Sequence, residues 1–216
     1  MIKRELYMNR IRPFIGGELI KVMTGIRRSG KSVMLELIKE ELAEAGVAPS
    51  QMISINFEDM RYSHLQTATA LHDEIIKRAE GIEGKAYLFF DEIQEVEGWE
   101  KCVNSLRVAL DCDIYITGSN AKLLSGELAT YIGGRYVEFV IYPFSFAEFL
   151  ELYHTIAPSD SIQQCFQKYL LAGGMPYLAN LRYEEEPSRQ YLTDLFNSVQ
   201  LKDIVKRNKI RESCKI

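Results

Sequence analysis

Leu19-Ile-Lys-Val-Met-Thr-Gly-Ile-Arg-Arg-Ser-Gly-Lys-Ser32 is a short, largely apolar strand running straight into a glycine-bounded loop. Beyond it Val33, Leu35, Leu37, Ile38 and Leu42 recur near helical spacing until Gly46 stops the pattern, so the loop lies between a strand and a helix. Gly25-x-x-x-x-Gly30-Lys31-Ser32 in that setting is the Walker A pattern of a phosphate-binding loop. The glycines let backbone N–H groups turn inward around phosphate oxygens, and the helix N-terminus adds the positive end of its dipole. Lys31 offers a point charge to the β- and γ-phosphates, and the Ser32 hydroxyl is placed to ligate Mg²⁺. The expected nucleotide contacts are therefore Gly25, Ile26, Arg27, Arg28, Ser29, Gly30, Lys31, Ser32 and Val33, with Arg27 and Arg28 turned toward solvent or a partner.

Working outward, Ala86-Tyr-Leu-Phe-Phe90 is a continuous apolar run that ends at Asp91-Glu92. A strand with no polar alternation has both faces buried, as in a parallel sheet covered by helices. Asp91 and Glu92 then form the matching Walker B element, some sixty residues after Lys31. Asp91 would hold magnesium through a water, and Glu92 would polarise the attacking water as general base. A glutamate poised to activate water also works against a small-molecule kinase, which must keep water from the γ-phosphate.

Thr117-Gly-Ser-Asn120 ends a fourth strand that should lie between the two motif strands. Its polar side chains would then point between Glu92 and the γ-phosphate, where Ser119 or Asn120 could serve as a sensor. Asn120 could instead cap the next helix. Arg135, after Gly133-Gly134 and before the last strand, is placed by this reading at the carboxyl edge of the sheet, as an arginine finger in its own or a neighbouring subunit. The alternative for Arg135 is an ordinary surface arginine. Asn56 could hold Glu92 in an inactive pose or simply close the second strand, and Glu58 and Asp59 read as a solvated strand end rather than a second metal site.

Strands at Leu19–Thr24, Met52–Phe57, Ala86–Phe90, Asp113–Thr117 and Tyr136–Ile141 alternate with helical patterns at Leu65–Ala79, Trp99–Leu110 and Lys122–Tyr131. That alternation calls for an α/β fold, a five-stranded parallel sheet flanked by helices. From Phe144 the pattern turns helical, over Phe144–Tyr153, Ser161–Leu171 and Arg189–Arg207, with Pro158-Ser-Asp160 as connector. The expected division is a nucleotide-binding domain over residues 1–155 and a helical segment over 156–216.

A net charge of −4 argues against a protein whose whole surface grips nucleic acid. The charge is uneven, however: residues 1–40 hold nine Lys/Arg against four Glu, and Lys202–Lys215 carries a net +4, the one weak pointer to nucleic acid. Four cysteines without a C-x-x-C pair and three scattered histidines argue against a disulfide framework or a zinc site and for a reducing compartment. The N-terminus lacks the apolar stretch of a secretory leader, and no window reaches the roughly 18 apolar residues of a membrane span. A cytoplasmic protein without membrane association is expected.

Together with Gly134-Arg135 and Pro143-Phe-Ser-Phe-Ala-Glu-Phe149, these motifs resemble the prokaryotic AAA+-like P-loop ATPases of the AAA_14 type with a DUF4143 C-terminal domain, relatives of the archaeal and STAND ATPases. Gly173-Gly-Met-Pro176 and Leu201–Arg207 are similar to the segment leading into that second domain. Family members run well beyond Ile216, so a truncated C-terminal domain is expected. The resemblance implies ATP binding and hydrolysis. With the Mg²⁺ ligands read from the motifs, the leading expectation is an Mg²⁺-dependent ATPase whose hydrolysis drives a conformational or assembly change, with self-association and a protein client as candidate partners. A nucleotide-binding switch with negligible turnover and a nucleic-acid-associated regulator are the alternatives.

Overall fold

A computed structural model describes residues 2–118 and 132–199. Ser119, Asn120, the helix expected over Lys122–Tyr131, and the chain after Val199 lie outside the described residues. Side chains alternate between the two faces of a strand, and here that alternation sorts the apolar residues into two layers. Strand β1 (Ile20–Thr24) pairs with β4 (Cys112–Thr117), Val22 opposite Ile116 and Met23 opposite Thr117. On its other side β1 pairs with β5 (Tyr136–Val140), Ile20 opposite Tyr136. Strand β3 (Ala86–Asp91) lies between β4 and β2 (Met52–Asn56), with Asn56 opposite Asp91. All pairings are parallel, and the order is β2-β3-β4-β1-β5. As expected from sequence, β4 separates the two motif strands.

Ile20, Val22, Leu88, Phe90, Ile114 and Ile116 face one layer, where α3 (Ala68–Ala79) supplies Leu71 and Ile75 and α4 (Trp99–Ala109) supplies Val103 and Leu106. Met23, Phe89, Tyr115 and Phe139 face the other, against Tyr7, Met8 and Ile11 of α1 (Glu5–Ile11) and Met34, Leu35, Ile38 and Leu42 of α2 (Lys31–Glu44). Phe89 stacks on Tyr115 with centroids 4.8 Å apart. Within this layer, near the amino edge, Lys21 and Asp113 are wholly buried. The Lys21 ammonium donates to Asp113 Oδ1 and to Gly17 O, while Tyr115 Oη and the Gly16 N–H, each at 2.7 Å, donate to Asp113 Oδ2. Burial pushes the Lys21 pKa down against the opposing pull of Asp113.

The chain divides into two compact units, one of Lys3–Ile26 with Gly30–Ile141, the other of Arg27–Ser29 with the chain from Tyr142 and the single residue Ile2. The first compact unit thus ends at Ile141. The reason is aromatic. On α5 (Phe146–Tyr153), Phe149 stacks with Tyr153 at 5.1 Å and meets Tyr183 edge-on at 4.9 Å, joining the core of the second unit with Cys165, Met175 and Leu178. Pro158-Ser-Asp160 therefore links α5 to α6 (Ile162–Ala172) inside that unit. Ser145 with Glu148 and Ser161 with Gln164 form capping boxes at the starts of α5 and α6. The last described helix, α7 (Glu185–Val199), packs Leu192 and Leu195 on the same core but leaves Phe196 60% exposed.

Gly174 makes a close crossing in this unit. Phe144 N donates to Gly174 O at 2.7 Å, and a Cβ on Gly174 would lie 2.0 Å from Phe144 O.

Candidate functional site

Open parallel sheets bind ligands beyond the carboxyl ends of their strands, and the motif residues gather at that edge. Thr24 leads into the loop, whose Gly25 and Gly30 have φ of 142° and 100°. Gly30 is the N-cap of α2 in the left-handed region, where a Cβ would be strained and would sit 3.3 Å from an Arg4 guanidinium nitrogen. Lys31, the first residue of the helix, is only 5% exposed, and its ammonium donates to Gly25 O at 3.3 Å and Ile26 O at 3.2 Å. The ammonium is thereby folded back over the loop. Ser32 and Val33 are exposed at the start of the helix, Ser29 is buried, Arg27 is half-buried, and Arg28, exposed, has φ 63°.

Strand β3 delivers Asp91 and Glu92 to the same edge. Asp91 is 7% exposed and accepts a hydrogen bond from the Thr117 hydroxyl on Oδ1. Its Oδ2 has no hydrogen-bond partner among the described residues. That same hydroxyl accepts from the Glu92 N–H at 3.0 Å, so one oxygen ties both acidic residues to the end of β4. Glu92 has left-handed backbone, φ 55°, just past the end of β3. There Glu92 Oε1 stands 4.0 Å from the Lys31 ammonium, and Oε2 accepts from the Gln94 amide. Gln94 Oε1 is buried without a hydrogen-bond partner among the described residues.

Lys31, Asp91 and Glu92 thus come together, with Gly25, Gly30 and Ser32 around them. Other candidates do not join. Asn56 Oδ1 accepts from Glu58 N at 2.9 Å, closing the strand end, and Glu92 is held by Gln94 instead. Asp59 caps a 3-10 turn and pairs with Arg61, whose hydrogen bond holds its carboxyl below the usual range. Arg135 requires a correction. Its carbonyl accepts from Ile20 N at 2.9 Å and Tyr136 lies opposite Ile20, so Arg135 sits at the amino edge, the far end of β1 from the loop. Its guanidinium is exposed and donates to Asn104 on α4 at 2.7 Å. Five strand residues at about 3.3 Å each separate it from Gly25, beyond the reach of an arginine within one chain. Ser119 and Asn120 lie outside the described residues.

Three contributors carried weaker sequence signals. Thr117 was legible only as the polar end of an apolar strand, and Gln94 as a polar residue after an acidic pair. Arg4 is 2% exposed, stacked over Tyr7 at 4.6 Å and set against Gly30, an arrangement that a charged N-terminal segment does not announce. Burial pushes the thiol pKa of Cys102 up to about 12 and of Cys112 to about 11, so neither is a thiolate nucleophile at neutral pH. No group of three or more His, Cys, Asp or Glu side chains forms a metal cluster among the described residues. No described helix is long and apolar enough to cross a membrane.

A donor set of one buried carboxylate with a free oxygen and one helix-start hydroxyl suits a hard cation that keeps most of its waters. Asp91 and Ser32 thus fit Mg²⁺ better than a dedicated protein cage would.

The family model AAA_14, described as AAA domain, matches residues 18–150. An uncharacterized protein of Haemophilus influenzae is 40% identical over 214 residues, covering 99% of this chain and 53% of its own length. One from Methanocaldococcus jannaschii is 34% identical over 201 residues, covering 89% and 43%. The chain therefore spans about half the length of the curated relatives it matches. Among solved structures, AMPPCP-bound DnaA from Aquifex aeolicus shares the fold at 14% identity and a TM-score of 0.54, over 96% of this chain and 66% of that one.

Proposed function

The chain belongs to the AAA_14 family of AAA domains, and on that premise we propose that it is a magnesium-dependent ATPase whose turnover drives a conformational or assembly change. The observation that carries this reading is the convergence of Lys31, Asp91 and Glu92 at one edge of the sheet, with Glu92 Oε1 4.0 Å from the Lys31 ammonium.

In this mechanism the loop N–H groups and the start of α2 bind the phosphates of ATP. The Lys31 ammonium leaves the Gly25 and Ile26 carbonyls, which are modest partners, for the stronger charge-assisted contact with phosphate oxygens. Asp91, through a water, and the Ser32 hydroxyl would hold Mg²⁺, which when bound would offset charge on the β- and γ-phosphates. With its lysine partner drawn to phosphate, Glu92 accepts the proton of the attacking water. A protein client and self-association belong to this proposal and carry no residue assignment.

Phosphate release, measured beside ATP binding, tests the reading. Lys31→Ala should lose ATP binding at micromolar nucleotide with the fold intact. Glu92→Gln should bind ATP as well or better and hydrolyse it about 10²-fold more slowly, the scale of a lost general base. Wild-type turnover in Glu92→Gln, or unchanged affinity in Lys31→Ala, sinks the assignment.

A further inference from the structure

Buried polar atoms in folded proteins nearly always have partners, and an exception calls for an ion, a water or a functional role. Gln94 Oε1 is such an exception, and it belongs to the side chain whose amide nitrogen is hydrogen-bonded to Glu92 Oε2. The orientation of that amide follows from chemistry: a carboxylate only accepts, so the NH₂ group is the end bonded to Glu92 and the carbonyl oxygen is the end left over. The result is a bifunctional group two residues beyond the acidic pair. One end fixes a carboxylate, and the other presents an unused acceptor beside it.

We propose that Gln94 positions the attacking water together with Glu92. This inference rests on the hydrolytic reading of the site. The water donates one hydrogen to Glu92 Oε1 and the other to Gln94 Oε1, and its lone pair is thereby aimed at the γ-phosphorus. As the bond from the water oxygen to phosphorus forms, the bond from phosphorus to the bridging oxygen breaks and ADP leaves with that electron pair. One water proton passes to Glu92. The other remains on the new phosphate oxygen, still donating to Gln94. The amide N–H to Glu92 Oε2 keeps the carboxylate from rotating, so Oε1 rather than Oε2 takes the proton. In the structure Oε1 is the oxygen turned to Lys31, the side on which the phosphates lie in the proposed site.

Two acceptors orient a water where one leaves it free to pivot, and near-attack geometry is worth substantial rate. Gln94 is a positioning residue in this scheme, and its contribution exists only when water and γ-phosphoryl group are both in place.

The experiment compares wild-type protein with Gln94→Met, which keeps length and volume and removes both hydrogen-bonding ends, and with Glu92→Gln. Affinity for a non-hydrolysable ATP analogue and for Mg-ADP with aluminium fluoride, a mimic of the transferring phosphoryl group with its attacking water, is measured by calorimetry alongside kcat and KM. Gln94→Met should lower kcat roughly tenfold or more with KM little changed, and should weaken the aluminium fluoride complex by a similar factor while sparing the analogue. Gln94→Glu, which keeps the acceptor but repels Glu92, should also lose kcat. A merely structural role would shift both affinities equally, and that outcome overturns the proposal, as does wild-type kcat in Gln94→Met. Full activity in Gln94→Met with loss in Glu92→Gln would remove Gln94 alone, whereas equal hydrolysis in wild type and Glu92→Gln would remove the underlying reading as well.

Discussion

Thr117 gives its hydroxyl proton to Asp91 and takes a hydrogen bond from the Glu92 N–H on the same oxygen. The proposed metal ligand and general base therefore share one anchor on a neighbouring strand. Thr117→Val keeps the shape and deletes both bonds. Partners that orient a metal ligand are worth about 10–100-fold in metal affinity, so the Mg²⁺ concentration for half-maximal turnover should rise by roughly tenfold. Thr117→Ser should restore it. A magnesium titration of phosphate release in the three proteins decides the matter, and an unchanged midpoint in Thr117→Val removes the anchor from the mechanism.

Arg135 stands at the amino edge, bonded to Asn104. Arg135→Ala should accordingly bind ATP normally and hydrolyse it within about twofold of wild type, since exposed surface substitutions away from a site cost little. Steady-state hydrolysis at several protein concentrations is the check. A loss that deepens on dilution would show that a neighbouring copy presents this arginine to the site after all.

The buried pair Lys21 and Asp113 makes a different kind of prediction. Removing one partner leaves the other charge uncompensated, at a cost of about 3–5 kcal/mol. Lys21→Met should lower the urea midpoint accordingly, while a joint Lys21→Met, Asp113→Leu replacement should recover much of the loss. If the single and double variants unfold alike, the pair contributes nothing beyond packing.

Gly174 tests the second unit. An added Cβ would fall 2.0 Å from a backbone oxygen of Phe144, and backbone cannot swing aside as a flexible side chain does. Gly174→Ala should destabilise that unit by about 3 kcal/mol or more, at the upper end of single-substitution effects. Protease cleavage should appear first beyond Tyr142, and a wild-type cleavage pattern would contradict the close crossing.

Much of the first unit was legible because its signals are local or periodic. The loop carries its own glycines, each strand its apolar run, and the ordering of β4 between the motif strands follows from how the two motifs must meet. Arg135 was misplaced for a reason that the chain itself contained: a residue immediately before a parallel strand has already crossed back to the amino edge. Gln94 was hidden because its contact with Glu92 depends on a left-handed turn at a non-glycine residue, which sequence patterns disfavour. The end of the first compact unit at Ile141 was hidden because Phe149 and Tyr153 lie on a helix whose aromatic partner, Tyr183, comes much later in the chain.

The strand that separates the motif strands has a consequence for synthesis. β1 and β3 are not paired with each other; each is hydrogen-bonded to β4. A nascent chain that has emerged only through Asp111 carries both motifs but nothing to join them. Parallel neighbours of this separation assemble slowly, because distant segments must be brought together before their contacts are formed. The arrival of Cys112–Thr117 supplies the missing strand and, with Thr117, the hydroxyl that anchors both acids. The growing polypeptide thus holds its glycine-bounded loop apart from the Asp91–Glu92 pair until that strand has left the ribosome.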